Sequence, residues 1–269
     1  MTDREARPEV LDLTSARDRL TDVLAALPPR PLIGIGGTAL AAKPMALLRL
    51  LCDLGLPAAD FVSYAAGIDA ELLLAFDRVA TLRCAYLGLE GAGKLPARAE
   101  LEGRFVPETF GSIIWGLEAT TRGLTFLPGP DLSGTGLAAE RKLTQIACPF
   151  TGRNFTAWPA IRPDLSVLHL RAATADGFLL ADTDLGVDRL LAKTSATLLV
   201  SVETLEPELS DPTEHGLALI VPAVDPVVVL APGGARPGSY GRAYPADEAT
   251  LLAYASLPDR PSRRAWWRR

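Results

Sequence analysis

Cysteine, histidine and methionine are all scarce, at three, two and two of 269 residues. Cys52, Cys84 and Cys148 are far apart, odd in number and form no CxxC pair. That excludes a disulfide framework and a thiolate zinc site, and it suits a reducing, cytoplasmic compartment. With only His169 and His215 available, no His-based metal spacing exists either, so no metal is expected. No apolar run reaches the roughly 18 residues of a membrane span. The opening MTDREARPEV is charged and lacks the apolar core of a signal peptide. Basic charge is not in excess, the net being −5, so neither nucleic acid nor a membrane is an expected partner. A GxSxG nucleophile elbow is also missing, which leaves serine-hydrolase chemistry without a visible nucleophile.

Apolar residues make up 48% of the chain, enough for a sizeable core. The richest stretch is Pro31 to Leu54, PLIGIGGTALAAKPMALLRLLCDL. An apolar run ends in Gly34, Gly36 and Gly37. Lys43-Pro44 then opens a helical pattern, with Pro at a first helical position where its missing N–H is no loss. Strand, glycine loop, helix is the unit of parallel sheets, whose ligands sit where the strands end.

The rest of the chain repeats this unit. Leu11 to Leu27 has helical spacing, followed by a strand at Leu32 to Ile35 and a helix from Pro44 to about Leu54 with Gly55 beyond it. Strands are predicted at 60–64, 81–87, 124–127, 165–171, 197–203 and 224–230, and helices at 69–77, 112–123 and 184–194. Residues 129 to 160 read as irregular. The expectation is one α/β domain over 1–269, an open and mainly parallel sheet with flanking helices. An N-terminal helix at about 9–27 and a short basic tail at about 259–269 flank it.

Several motifs are less than they promise. Gly34-x-Gly36-x-x-Ala39 fits a dinucleotide fingerprint, but the helix begins several residues late and no acidic residue ends the second strand. Gly88 to Lys94 fits GxxxxGK, yet Leu95 stands where a phosphate loop needs the Ser or Thr that binds magnesium. It reads as a glycine loop at a sheet edge. His169, in an apolar strand, reads as buried and hydrogen-bonded, and His215 as solvated. Asn154-Phe-Thr156 is a glycosylation sequon that a cytoplasmic chain would not use. Asp182, Asp184 and Asp188 lack the order of a calcium loop and read as a helix start, where carboxylates favour the dipole. The residues therefore describe a cleft lined by glycines with no complete catalytic set, as in a chain whose reactive group comes from elsewhere.

The segments GIGG, KPMALLRLL, FVSYAAGID, GLEATTRGLTFLP, CPFTG, WPAIRPDLSVLHLRAATADG, LLVSVE and VVVLAPGGARPGSYGR resemble the A (α) subunit of family I CoA-transferases. Their order and spacing hold from about residue 30 to residue 255, and the likeness is to the glutaconate CoA-transferase branch. That branch includes hydrolases of ring CoA-thioesters and a methylglutaconyl-CoA decarboxylase. The resemblance implies an open α/β sheet and a B-type partner subunit carrying a glutamate nucleophile. It also implies an acyl-CoA substrate, with coenzyme A part of the substrate and no separate cofactor. The strand end Ser63-Tyr64-Ala65-Ala66-Gly67 holds no carboxylate, as the resemblance implies for an A-type chain. Where many A-type chains carry a carboxylate motif, roughly ExxEG, this chain has Pro107-Glu108-Thr109-Phe110-Gly111, with Glu108 one residue out of register. The family's GN pair is replaced by Gly177-Phe178.

On this reading Gly36 and Gly37 offer backbone N–H groups, or close backbone approach, to a thioester oxygen or substrate carboxylate. Such donors in a water-poor cleft can be worth roughly 3–4 kcal/mol in a transition state. Tyr64, Gly67 and Gly88 shape the acyl pocket. Glu90 and Glu108 are the candidate catalytic carboxylates, Glu90 as acid or base if burial raises its pKa and otherwise as a solvated loop residue. Three readings stay open: transfer, decarboxylation or hydrolysis by the same fold, and a non-catalytic partner of a B subunit. The tail SRRAWWRR reads as a flexible or partner-facing end, or as a basic aromatic contact for CoA phosphates.

Overall fold

The structure, a computed structural model, describes residues 10–92, 95–174, 177–182, 186–206, 217–241 and 243–269. In chain order the first half runs β1 (Val10–Asp12), α1 (Ala16–Ala25), β2 (Leu32–Thr38), α2 (Met45–Asp53), β3 (Ala59–Ala66), α3 (Ile68–Ala75), β4 (Val79–Leu87), β5 (Phe105–Pro107) and α4 (Phe110–Thr121). The second half runs β6 (Phe126–Gly129), α5 (Gly136–Arg141), β7 (Gln145–Ala147), β8 (Asn154–Pro159), β9 (Leu165–Thr174), β10 (Leu179–Asp182), α6 (Asp188–Thr194), β11 (Thr197–Glu206), β12 (Leu217–Ile220), β13 (Val227–Leu230), α7 (Glu248–Ala255) and α8 (Arg260–Trp267).

Eight strands form an open parallel sheet in the order β1-β13-β11-β9-β2-β3-β4-β5, with β10 and β12 added antiparallel beside β9. Both faces are covered. One packs α2, α3 and the C-terminal helices through Leu47, Leu51, Leu72, Tyr254 and Trp267. The other packs α4 and α6 through Ile113, Leu117, Leu191, Leu168 and Val200. Burial on both faces explains why β9, β11 and β13 read as near-continuous apolar runs. Among the described residues no helix is long and apolar enough to cross a membrane.

Several local expectations change. Leu11 belongs to β1, paired in parallel with β13, and the first helix starts only at Ala16. Residues 129–160 are not irregular: β6, β8 and β7 form a small antiparallel sheet, with α5 between β6 and β7. The glycines after Ile35 are not a loop, because β2 continues through them to Thr38. A Cβ at Gly34 would lie 2.4 Å from Ser166 Oγ and 2.6 Å from Leu191 Cδ2, so bare backbone here lets α6 lie against the sheet. Finally, the basic tail is no loose end. Asp259 caps α8 by accepting from the Ser262 N–H, with Pro261 in the first turn. Trp267 is buried against Tyr254, and Arg263 and Arg260 pair with Glu100. The helix expected from residue 184 begins at Asp188; Asp184, His215, Gly93 and Lys94 lie outside the described residues.

Candidate functional site

The C-terminal ends of β2, β3 and β4 lie side by side, with Thr38 opposite Ala65, Ala65 opposite Tyr86 and Ala66 opposite Leu87. Gly67 is where they meet. A Cβ there would sit 2.5 Å from the Ala39 carbonyl oxygen and 2.8 Å from that of Gly88, so only glycine fits between the two neighbouring turns. The Ala39 N–H bonds to the Ala65 carbonyl and the Gly88 N–H to that of Ala66, which ties the three ends together. Tyr64, half-buried, packs its ring 4.5 Å from that of Phe110, the first residue of α4, and Phe110 is 45% exposed. Gly186 closes on the Tyr64 ring, where a Cβ would lie 2.9 Å from it. The fold thus gathers Gly36, Gly37, Tyr64, Gly67 and Gly88 at one edge of the sheet.

Gly37 is bent to φ +70°, and the β2–β3 register slips between Ile35 and Thr38. A Cβ on Gly37 would strike the Ala41 and Ala42 carbonyl oxygens, each at 2.5 Å. Its N–H is not free for a substrate oxygen, because it donates to Asp188 Oδ1 at 2.9 Å. Asp188 opens α6 and is buried, and its Oδ2 has no hydrogen-bond partner among the described residues. Burial pushes its carboxyl up to about 7, against the opposing pull of the Gly37 hydrogen bond and the Lys43 charge.

Beneath the glycine edge lies a buried ion pair that sequence reasoning missed. Lys43 Nζ is 3.1 Å from Asp69 Oδ2 and 2.9 Å from Ser63 Oγ, and Asp69 Oδ1 accepts the Gly67 N–H at 2.7 Å. The available signal was a lone lysine inside ALAAKPMALL, a context where an unpaired ammonium would be expensive.

The two carboxylates singled out from sequence sit differently. Glu90 is exposed, on a short 3-10 turn with φ +51°. Glu108 is buried at the start of α4. Its Oε1 pairs with Arg83 at 2.7 Å and with Arg141, and its Oε2 accepts from Ser112 Oγ at 2.6 Å. Ser112 and Thr109 form a capping box around the same turn. Both Glu108 oxygens are thereby occupied.

A second polar network lies across the middle of β9 and β11. His169 is buried, with Nδ1 2.9 Å from Ser201 Oγ and Nε2 2.7 Å from Glu203 Oε1. Tyr244 OH donates to Glu203 Oε1 at 2.6 Å, and the Gly233 N–H donates to Oε2 at 2.8 Å. Burial raises the Glu203 carboxyl, but His169, Tyr244 and Gly233 outweigh it and hold the group down at about 2. Ser, His and Glu stand here in hydrolase order. Ser201, however, is fully buried in mid-sheet, so the network anchors the loop after β13 and offers no nucleophile.

The tail sits away from the glycine edge. Gly67 precedes α3, whereas Arg260 pairs with Asp77 just past its far end, about 12 Å along an eight-residue helix. Arg264 and Arg268 lie over the Phe76 ring. Among the described residues no group of three or more His, Cys, Asp or Glu side chains could hold a metal ion.

No protein-family model matches the chain. An uncharacterized protein of Archaeoglobus fulgidus is 28% identical over 195 residues, covering 70% of this chain and 44% of that protein. The A subunit of the 3-oxoadipate CoA-transferase of Pseudomonas knackmussii is 32% identical over 122 residues, covering 45% of this chain and 43% of that protein. The matched region thus spans less than half the length of those two relatives. A cholesterol ring-cleaving hydrolase IpdA subunit of Rhodococcus jostii is 29% identical, covering 94% of this chain and 91% of that protein. Among solved structures, a variant of the decarboxylase AibA/AibB superposes with a TM-score of 0.83 at 29% identity, covering 97% of both chains. Glutaconate coenzyme A-transferase from Acidaminococcus fermentans shares the fold, with a TM-score of 0.82 at 23% identity over 96% of this chain and 87% of that one. In sequence the chain is similar to an A subunit of a CoA-transferase and to a subunit of a cholesterol ring-cleaving hydrolase, and in fold to the decarboxylase AibA/AibB and to glutaconate coenzyme A-transferase.

Proposed function

We propose that this chain is the A-type subunit of a heteromeric enzyme acting on an acyl-CoA thioester, with the nucleophile supplied by a B-type partner. The observation that carries the reading is a strand-end edge shaped for a ligand at which, among the described residues, neither Glu90 nor Glu108 stands free as a nucleophile. Gly67 and Gly88 floor it and Tyr64 and Phe110 wall it. Yet β3 ends without a carboxylate, Glu108 is saturated by Arg83, Arg141 and Ser112, and Glu90 faces solvent. Covalent catalysis through a partner's carboxylate splits acyl transfer into two easier steps, leaving this chain to position the acyl group. Coenzyme A enters as part of the substrate and no further cofactor is invoked. Three unpaired cysteines support a reducing compartment, the cytoplasm, as its place of work.

A second reading keeps the site and changes the reaction to hydrolysis or decarboxylation. It is favoured by the two relatives matched along more than 90% of both chains, one named as part of a hydrolase and the other as a decarboxylase. Co-expression with a B-like subunit, followed by mass spectrometry of the complex with a panel of acyl-CoAs, separates the readings. CoA exchange that needs an added carboxylic acid is transfer. Free CoA or CO2 released without one is hydrolysis or decarboxylation. Unchanged turnover in Gly36→Ala, Glu90→Gln and Glu108→Gln complexes would reduce the chain to a non-catalytic partner.

A further inference from the structure

Resting on the reading above, we propose that Asp188 is a positioning residue of the glycine edge. Its carboxyl group holds the Gly36–Gly37 bend of β2 through the Gly37 N–H and couples the shape of that bend to proton uptake. The group is built into the bend. A Cβ on Gly36 would lie 2.8 Å from Asp188 Oδ1 and 2.6 Å from Leu168 Cδ2, so a bare glycine is what admits the carboxyl to the strand backbone. Two residues earlier, Gly186 packs on Tyr64, so the start of α6 touches both the bend and the aromatic wall.

Asp188 also differs from the other buried carboxylates. Glu71 bonds to the Ala97 N–H and to Tyr254 OH, Glu108 to two arginines and Ser112, Glu203 to His169, Tyr244 and Gly233, and Asp69 to Gly67 and Lys43. Asp188 has one hydrogen bond and, among the described residues, an Oδ2 with neither hydrogen bond nor ion pair. The cation felt there, Lys43, is already held by Asp69 and Ser63. Tyr240, buried and edge-on to His169, also senses the Asp188 charge. Asp188 lines a cavity of about 400 Å³ together with Asp182, Glu118 and Arg189.

A saturated carboxylate is a strut, whereas a half-satisfied one changes state at modest cost. Burial sets the change near neutral pH. Ionised, Asp188 makes a charge-assisted bond to Gly37, about twice as strong as a neutral one. Protonated, it grips the bend less and gains an O–H donor.

The test begins with the full chain alone, labelled with 15N, because that arm needs neither partner nor substrate. The Gly37 amide resonance should titrate with an inflection near pH 7, and Asp188→Asn, which keeps the Oδ1 acceptor, should abolish it. A flat Gly37 profile in the wild type, or the same inflection in Asp188→Asn, overturns the inference; the second result would assign the proton to another group. In the B-subunit complex, the pH profile of acyl-CoA turnover should lose its neutral inflection in Asp188→Asn while KM at the optimum changes less than kcat. An unaltered profile would overturn the link to turnover and leave Asp188 structural. A wild-type complex with no acyl-CoA turnover would count against the proposed function and leave the Gly37 arm to decide the Asp188 link.

Discussion

Replacing Lys43 with Met removes the cation beneath the glycine edge while keeping most of its volume. Lys43 and Asp69 side chains are 0% and 1% exposed, so neither charge is relieved by water. At their separation of 3.1 Å, unit charges in an effective dielectric of about 20 attract by about 5 kcal/mol, much of it offset by the desolvation of both groups. The net worth of the pair is therefore small, but the penalty of halving it is not. Lys43→Met leaves Asp69 buried, with only the Gly67 N–H on Oδ1 and nothing on Oδ2. A stranded partner of this kind destabilises by about 3–5 kcal/mol, lowering Tm by roughly 6–20 °C in a protein of this size. Asp69→Asn strands the lysine and should cost a similar amount, with the Gly67 hydrogen bond kept. The double variant removes both charges and should recover much of the loss, giving a coupling energy above about 2 kcal/mol in urea unfolding. Lys43→Met within about 1 kcal/mol of wild type, or strict additivity of the two substitutions, would refute the reasoning.

Four further outcomes follow from the same contacts. Gly36→Ala forces a methyl against Leu168 and Asp188, and overpacking of this kind costs about 1–3 kcal/mol, read as a lower urea midpoint. Trp267→Ala empties the buried anchor of α8 and should cost about 3–5 kcal/mol, with hydrogen exchange rising first along α8 and the facing α3. Thiol labelling of the native chain should modify Cys148 alone. Hydrogen bonds from Thr151 and its neighbours lower the Cys148 thiol, while burial pushes Cys52 and Cys84 up to about 12. Asp188→Asn should change the pH dependence of stability. The folded carboxyl titrates near 7 and the unfolded one near 3.8, so this group makes the wild type lose stability as pH rises between them, a contribution the variant lacks. The difference of 3.2 (7 − 3.8) corresponds to on the order of 4 kcal/mol. The variant should therefore gain on wild type by up to that amount between pH 4 and pH 8, and parallel curves would contradict it.

The βα alternation was legible because it is local. Apolar runs bounded by Gly, and helical spacing after Lys43-Pro44, mark β2, α2, β3, α3 and β4 to within a few residues. The C-terminal helix was not legible in that way. Its buried face is Arg263 and Trp267, and an arginine reads as inward only once Glu100, 163 positions earlier in the chain, is known to lie against it. The small sheet of β6, β8 and β7 was obscured by its Gly, Pro and Thr content, which local propensity assigns to loops and tertiary packing overrode.

The same division holds at the candidate site. The glycines and Tyr64 stood out in the chain because a parallel sheet presents its strand ends, and short-range pattern is enough to find them. What those glycines do was decided by partners distant in sequence: α6 lying on Gly34 and Gly36, Asp188 taking the Gly37 N–H from 151 residues away, and Asp69 fixing Gly67 while it neutralises Lys43. Residue order determines which backbone segments become strands and helices, because hydrogen bonding and side-chain period act over a few residues. Which charges are buried, and which of them are satisfied, depends on long-range packing that removes water, and only the folded chain decides that.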